Sequence, residues 1–502
     1  MALVARKDWL IIFAVMACGA ALLSFRLDWQ DYWWDEHVTL MFTRAGWYEL
    51  MIEHWGTDTH RPFYYGLQKL WNGVFGESIV GVRSLPIVLS LLIVPVFYSI
   101  GQRMGGGALA LIVVVLLIST PMFVQYGREV RMYALAHLAL AVALWCAVVL
   151  ASRARAEQEG KPVSVGLGDR ALWGLFAAAL AVALYAQALG IFIVALFGLW
   201  ILVCVGFGVL PLRFLWQSLA ALTLYIVFIL PALYPFFVHT TETIGGEFWV
   251  PEPSLHYIYG QTTGAYPYPK WSKPVVALLI LWGLWSLRHR PHLAWLMGLM
   301  VIGLPLLVLG VSFFKPLYLT RVIAWGSLVS TLMLAAGLMA LRPAWRWSGV
   351  AFLVVSQLLA AQTFLPSAPE RSAERKIAAE MQDFDPTTDT LVLGFQFMEP
   401  AFRWHVPQAF EGAAYGFLHP NYSRKIINDA LRSRLLQRSE ADQIELSETG
   451  TLFVVHHMIP PSKHQAVPED DVSETLATVI DGRIPHRTVT AGRLQLDIYK
   501  LK

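Results

Sequence analysis

The chain has 502 residues, of which 56% are hydrophobic and 15% are charged, and its formal net charge at pH 7 is +3. Soluble globular domains carry about 25% charged residues. Residues 9–25 and 191–209 contain no charge, and runs of this length suffice to cross a hydrocarbon core of about 30 Å. The composition therefore predicts an integral membrane protein, and a large soluble protein with many buried helices is the disfavoured alternative.

The apolar runs predict about eleven transmembrane helices, near residues 9–26, 82–101, 108–125, 131–151, 171–187, 190–209, 214–236, 274–288, 293–311, 321–341 and 347–364. Arg6 and Lys7 precede the first run, and further basic residues recur in the short loops on that side. Short cytoplasmic loops collect Lys and Arg, so we expect a cytoplasmic N-terminus and an outer C-terminus. The first helix is interpreted as a retained span rather than a cleaved signal peptide.

Residues 366–502 lack a long apolar run and predict a small soluble α/β domain outside the cytoplasm. Strands are expected near 391–398, 452–456 and 494–501, and helices near 372–381 and 424–436. The predicted organisation is thus a transmembrane module over 1–365, with long outer loops at 28–81 and 237–273, followed by this domain. The three cysteines lie within predicted spans and cannot cross-link it.

The first outer loop carries the most informative polar residues. Asp35 and Glu36 are adjacent and follow the first predicted span directly. Ionisable residues close to the membrane are functional more often than structural, and paired carboxylates accept protons or hold divalent cations. Residues 38–54 predict an amphipathic helix in the membrane interface. The loop also holds several tryptophans, which alone would indicate only an aromatic interface belt.

Several motifs in this order resemble a known family: Asp35-Glu36, His60-Arg61-Pro62-Phe63-Tyr64-Tyr65, Leu70-Trp71, Phe75-Gly76-Glu77-Ser78, Val82-Arg83-Ser84-Leu85-Pro86, Gln125-Tyr126-Gly127-Arg128-Glu129-Val130-Arg131-Met132-Tyr133 and Phe314-Lys315-Pro316-Leu317-Tyr318-Leu319-Thr320-Arg321. They resemble the GT-C membrane glycosyltransferases, in particular the bacterial relatives of dolichyl-phosphate-mannose protein mannosyltransferases (glycosyltransferase family 39-like). The lipid A aminoarabinose transferases are a neighbouring branch. Arg61 replaces the first proline of the family motif, and Gln187 stands where many members have a histidine.

The resemblance implies a polytopic GT-C fold and an inverting transfer of a sugar from a polyprenyl-phosphate donor to an acceptor hydroxyl on the outer membrane face. Asp35 is the candidate general base, and Glu36 would orient the acceptor or hold a divalent cation. The candidate ligands of the donor phosphate are Arg131, Arg321 and Lys315. The candidate contacts to acceptor or sugar are His60, Arg61, Tyr64, Tyr65, Glu129, Tyr133 and Tyr318. Candidate ligands of a divalent metal, the one cofactor considered, are Asp35, Glu36, Glu129 and His60.

Structural alternatives remain open for these residues. Arg131 and Arg321 would otherwise extend to the membrane interface, Glu129 would pair with Arg128 or Arg131, and His60 would make a structural hydrogen bond. The loop 237–273 is interpreted as a lid or an acceptor groove.

The expected partners are the lipid-linked donor, membrane lipids and a glycolipid, polysaccharide or protein acceptor, without nucleic acid. The expected location is the bacterial inner membrane, with the active site on the periplasmic side. Two functions from other classes also remain: a transporter or flippase for lipid-linked sugars, and a non-catalytic membrane assembly protein.

Overall fold

The computed structural model of the protein describes residues 6–53, 62–162, 166–245, 250–367, 372–395, 398–410, 414–419, 450–457, 480, 482–492 and 494–501. The chain divides into two compact units. Unit 1 comprises Met1–Leu27, Thr59–Tyr64 and Trp71–Ser367, and unit 2 comprises Asp28–Asp58, Tyr65–Leu70 and Ala368–Lys502. The domain division made at residue 366 from the sequence stays a prediction.

The described residues form these α-helices: α1 Arg6–Ser24, α2 Trp34–Arg44, α3 Phe63–Phe75, α4 Ile79–Gly105, α5 Gly107–Ser119, α6 Pro121–Tyr126, α7 Tyr133–Gln158, α8 Asp169–Ala186, α9 Ile191–Gly206, α10 Leu212–Gly245, α11 Leu255–Ala265, α12 Lys273–Ser286, α13 Pro291–Gly298, α14 Leu304–Ser312, α15 Thr320–Met339, α16 Pro343–Ala361, α17 Ala373–Ala379 and α18 Glu399–His405. A π-helical segment, Leu299–Gly303, joins α13 to α14.

Among the described residues, seven helical segments are long and apolar enough to cross a membrane, and four further apolar helices are shorter. All of them coincide with the apolar runs predicted from the sequence. The predicted fold class, a polytopic helical membrane protein with a small C-terminal α/β domain, is confirmed. The number of spans stays a prediction.

Helices α7 and α15 are the most buried of the long apolar helices. Within the apolar stretch of each helix, 89% of the residues are buried in α7 and 94% in α15, whereas only 22% are buried in α10. A helix that is apolar all round packs in the interior of a bundle. The apolar stretches of α7 and α15 therefore lie in the interior of unit 1, with Tyr133 and Arg321 at their N-terminal ends.

Two acidic residues in the first turns of helices have structural partners. Asp8 of α1 accepts hydrogen bonds from Tyr98 Oη and Gln102 Nε2, each at 3.0 Å. Asp169 forms an ion pair with Arg153 at 2.8 Å. These contacts link α1 to α4 and the start of α8 to α7. Asp8 and Asp169 therefore stabilise the packing of these helices.

Unit 2 contains a five-stranded sheet of order β2-β1-β3-β5-β4, formed by β1 Thr390–Phe395, β2 Ala414–His419, β3 Leu452–His457, β4 Arg483–Ala491 and β5 Leu494–Leu501. Strands β2 and β3 are parallel to β1, while β5 is antiparallel to β3 and β4. Its core includes Ile377, Phe402, Leu393, Val455 and Leu496. Three predicted strands correspond to β1, β3 and β5, and the helix predicted near 372–381 corresponds to α17. The helix predicted near 424–436 lies outside the described residues.

Strand β4 was not expected from the sequence. It is an edge strand that contains Pro485, and its central residues are exposed. Proline lacks a backbone N–H donor and is tolerated at sheet edges. The sequence of β4 is polar and contains a proline, so it lacks the alternation of apolar residues by which strands are predicted.

The interfacial helix predicted over 38–54 differs in extent. Helix α2 begins at Trp34 and ends at Arg44, and a π-helical turn follows at Glu49–Glu53. Gly46 interrupts the helix, and its N–H donates to Glu49 Oε2 at 3.2 Å. Because α2 begins earlier than expected, the paired acids lie in its first turn. Negative charge at this position interacts favourably with the helix dipole.

Candidate functional site

Helix α2 of unit 2 carries the predicted catalytic acids, and they differ in environment. Glu36 is 1% exposed, and its Oε2 accepts a hydrogen bond from Trp33 N–H at 3.2 Å. This contact caps the N-terminus of α2. Asp35 is half-buried, and its backbone carbonyl accepts from Thr39 Oγ1. Glu36 thus has a structural role in its own helix, and Asp35 is the more accessible of the two acids.

The C-terminal end of α2 is held by a lysine. Lys69 Nζ donates to Thr43 O at 2.9 Å and to Ala45 O at 2.8 Å. A cation at this end satisfies carbonyls that lack helical partners and interacts favourably with the helix dipole. Tyr65, a predicted sugar contact, is buried, and its ring stacks on Phe42 with centroids 4.7 Å apart. Its role toward substrate stays a prediction.

The segment that leads into α2 is paired with the C-terminal part of unit 2. Asp31 Oδ1 accepts from Arg375 at 2.8 Å, and its Oδ2 accepts from Ser372 N–H at 2.8 Å. The Asp31 side chain is 5% exposed. Leaving a buried acceptor without its donor costs roughly 1–3 kcal/mol, so loss of Arg375 would destabilise this arrangement.

Aromatic contacts extend the same arrangement to α18. Tyr32 packs edge-on against Trp404 with ring centroids 5.5 Å apart, and His37 packs against His405 at the same distance. The guanidinium of Arg44 lies 4.2 Å from the Trp404 ring centroid, within the range of a cation–π contact. Helix α2 therefore contacts α18 at both its N-terminal and its C-terminal end.

Unit 1 brings Arg321 into contact with Tyr133, and Arg131 lies two residues before Tyr133 in the chain. Arg321, in the first turn of α15, donates to Tyr133 Oη at 3.4 Å, where α7 begins. The Tyr133 ring lies 4.7 Å from that of Tyr126. Arg131 is 4% exposed, and its N–H donates to the carbonyl of Glu129. We call Arg131, Tyr133 and Arg321 the arginine cluster. It lies where two buried helices begin, and helix N-termini favour anions.

Two neighbouring residues of the same motif have local partners. Glu129 Oε1 accepts from Gln125 Nε2 at 2.9 Å. Arg128 donates to Leu23 O at 2.7 Å and to Phe25 O at 2.8 Å, at the end of α1. Arg128 therefore binds carbonyls that α1 leaves without helical donors.

The predicted long outer loop contains a helix that contacts the start of α15. In α11, Gln261 Oε1 accepts from the Thr320 N–H at 2.7 Å and from its Oγ1 at 2.8 Å. Thr262 Oγ1 and Tyr318 Oη share a hydrogen bond of 2.8 Å. Gly264 permits this close packing, because a Cβ there would lie 2.7 Å from Thr320 Oγ1. Gln261 thus caps the helix that carries Arg321.

Tyr257 of α11 was not identified from the sequence. Its hydroxyl is buried and has no hydrogen-bond partner among the described residues. Burial raises the pKa of Tyr257, while the charge of Arg321 lowers it. The phenol therefore lies within electrostatic reach of the arginine cluster. The one available signal was the aromatic composition of the loop, which did not distinguish Tyr257 from its neighbours.

The remaining predicted residues are less informative. Tyr64 is buried in unit 1 and Lys315 is half-buried after α14. His60 and Arg61 lie outside the described residues. Within the part of the chain that the structure describes, no three His, Cys, Asp or Glu residues form a group suited to a metal ion. The metal ligand set stays a prediction.

Unit 1 also contains an apolar cavity of about 190 Å³ between α8, α9 and α10. It is lined by residues such as Phe176, Leu180, Phe197, Ile201 and Tyr225. Because its lining is almost entirely hydrocarbon, the cavity suits an aliphatic chain better than a sugar.

The fold of the chain is similar to that of several solved structures. Two crystal structures of ArnT from Cupriavidus metallidurans, one apo and one bound to undecaprenyl phosphate, align with TM-scores of 0.65 at 14% and 13% identity, covering 98% of both chains. The archaeal oligosaccharyltransferase AglB from Archaeoglobus fulgidus aligns with a TM-score of 0.55 at 11% identity, covering 90% of this chain and 70% of AglB. This chain has the GT-C fold.

The resemblance drawn from the sequence motifs is thereby confirmed at the level of the fold. No protein-family model matches the chain, and a search of curated proteins finds no match. Asp35 and Glu36 fall on α2, the motif 125–133 ends at the start of α7, and the motif 314–321 ends at the start of α15. The described residues of the other motifs fall on α3 and α4 or adjacent to them, and His60 and Arg61 lie outside the described residues.

Helix α18 carries two titratable residues with opposite effects on stability. Burial raises the pKa of Glu399 to about 7, although Arg403 lowers it. Burial lowers the pKa of His405, an effect that Asp31 opposes and Arg375 reinforces. Glu399 stabilises the domain fully below its unfolded pKa of about 4.5, and this stabilisation is lost as the pH rises through 7. Because the pKa of His405 is lowered in the folded state, the stability of the domain decreases as the pH falls below the unfolded histidine pKa of about 6.5.

Between pH 6.5 and 8 we therefore expect the stability of the C-terminal domain to fall, and Glu399→Gln to abolish the fall. The measurement is amide hydrogen exchange of β1 and β3, corrected for the intrinsic pH dependence. Glu380→Gln, a change at an acid paired with Arg487 in the same domain, should keep the wild-type slope. An unaltered slope in Glu399→Gln would contradict the assignment.

Proposed function

We propose that this protein is an inverting glycosyltransferase that moves a sugar from a polyprenyl-phosphate donor to an acceptor hydroxyl on the outer face of the membrane. The GT-C fold, shared with an ArnT structure that contains undecaprenyl phosphate, supports this proposal. The acceptor would be a glycolipid, a polysaccharide or a protein.

The arginine cluster is the observation that carries the proposal. Arg131 and Arg321 place two cationic side chains at the beginnings of two buried helices. Guanidinium groups bind phosphate oxygens through charge-assisted hydrogen bonds, and helix N-termini add a favourable dipole. This combination suits a lipid phosphate. The Tyr257 hydroxyl, whose pKa responds to the charge of Arg321, is a further candidate donor to the phosphate or to the sugar.

The reaction would proceed in one displacement. Asp35 accepts the proton of the acceptor hydroxyl as its oxygen attacks the anomeric carbon. The bond from that carbon to the phosphate oxygen breaks, and the lipid phosphate leaves with the electron pair. Arg131 and Arg321, supported by Lys315, stabilise the charge that develops on the leaving phosphate. A divalent cation held by carboxylates would supply further charge stabilisation.

Asp35→Asn should abolish transfer, because an amide has no basic oxygen that can take the acceptor proton. The measurement is transfer of radiolabelled sugar from a polyprenyl-phosphate donor in vesicles, together with donor binding to the purified variant. Donor binding should persist at wild-type affinity. Normal transfer by Asp35→Asn would exclude Asp35 as the general base. If the protein were instead a transporter, it would move the donor across the vesicle membrane without forming a glycosylated product.

Arg321→Ala should weaken donor binding, since one hydrogen bond to a charged group contributes about 1.5–3 kcal/mol. This corresponds to roughly a tenfold to hundredfold increase in the dissociation constant for the donor. The matched control is Arg288→Ala, because Arg288 is exposed and lies over Trp285. Equal donor affinities for both variants would contradict the phosphate-binding role.

The predicted topology is tested with cysteines placed at exposed positions. In a cysteine-free background, Asp383→Cys in the C-terminal domain should react with a membrane-impermeant maleimide on spheroplasts. Arg288→Cys, predicted to face the cytoplasm, should react after the membrane is permeabilised. The reverse pattern would place the domain inside the cell and exclude chemistry on the outer face.

A further inference from the structure

We propose that the C-terminal domain positions helix α2, and that Arg375, Trp404 and His405 are the positioning residues for the general base Asp35. The catalytic consequence rests on the proposed function, whereas the attachment of α2 to α17 and α18 within unit 2 does not.

The attachment points lie on both sides of Asp35 in sequence. Asp31, four residues before it, pairs with Arg375 and with the Ser372 N–H. His37, two residues after it, packs against His405. The first turn of α2 is therefore bracketed by contacts to the C-terminal domain.

Helix α2 has little capacity to hold its own first turn in place. It is 11 residues long, and isolated helices shorter than about 12–15 residues are marginal in water. Terminal turns are also where local opening begins. A base in the first turn of such a helix would move unless another element held it, and contacts with α17 and α18 supply that restraint.

The other anchors of α2 do not replace these contacts. Lys69 holds the carbonyls at the C-terminal end of the helix. Glu36 caps the N-terminus from within the helix, so it moves together with Asp35. Among the described residues, Asp31, Tyr32 and His37 join the N-terminal end of α2 to the sheet domain.

A defect in the positioning of Asp35 and a defect in donor binding should change different kinetic constants. Because Arg321 and Arg131 belong to unit 1, loosening α2 should leave donor binding intact. A base displaced by about 1 Å can cost on the order of a hundredfold in rate. We therefore expect variants of the positioning residues to lower kcat while the KM for the donor is unchanged.

The test compares Arg375→Met and Trp404→Leu with Arg375→Lys and a matched control, in the full-length protein in nanodiscs. The control is Arg487→Met, which removes another arginine–carboxylate pair, with Glu380, in the same domain. We expect amide exchange across α2 to rise at least tenfold in the first two variants, with kcat lower by roughly tenfold to a hundredfold. Arg375→Lys should retain most of both properties, and the control should match wild type.

Exchange in β1 and β3 reports whether each variant remains folded. Unchanged exchange across α2 in folded Arg375→Met and Trp404→Leu would overturn the attachment. Faster exchange with wild-type kcat, or a higher donor KM alone, would overturn the positioning role. If the wild-type protein transfers no sugar, the proposed function fails, and the exchange measurement still decides whether the C-terminal domain holds α2.

Discussion

The hydrocarbon core of the membrane is the constraint on which this structure depends. Backbone polar groups find no water there, so spanning segments must be helical, and unpaired N–H groups concentrate at the helix ends. Helices α7 and α15 are almost wholly buried, and their N-termini begin at Tyr133 and Thr320. Arg131 and Arg321 lie at these ends, and helix N-termini favour anions.

The polar residues of unit 1 divide by function according to their partners. Asp8 and Asp169 are engaged in contacts between helices, and Arg128 binds the end of α1. Arg321, in the first turn of α15, donates to the Tyr133 hydroxyl, and guanidinium groups bind anionic ligands through charge-assisted hydrogen bonds.

Unit 2 joins a sheet domain to the segment that carries the paired acids. Under the proposed function, this grouping would allow the sheet domain to affect the position of Asp35. The acids differ because of their position along one helix turn: Glu36 turns back to cap α2, while Asp35 stays half-buried. Adjacent residues of a helix point in directions about 100° apart, so the two neighbouring carboxylates have different surroundings.

From the sequence alone, hydropathy determined the apolar helices, and the motif order determined the GT-C fold, because both depend on local runs of residue types. The resemblance in motifs also predicted Arg131, Tyr133 and Arg321 as site residues; the structure places Arg321 in contact with Tyr133, and their roles stay predictions. Tertiary structure alone decided that Gln261 caps α15, that Tyr257 lies near Arg321 and that α2 packs on α18. Such contacts join residues far apart in the chain, and their positions follow from packing that residue composition does not encode locally.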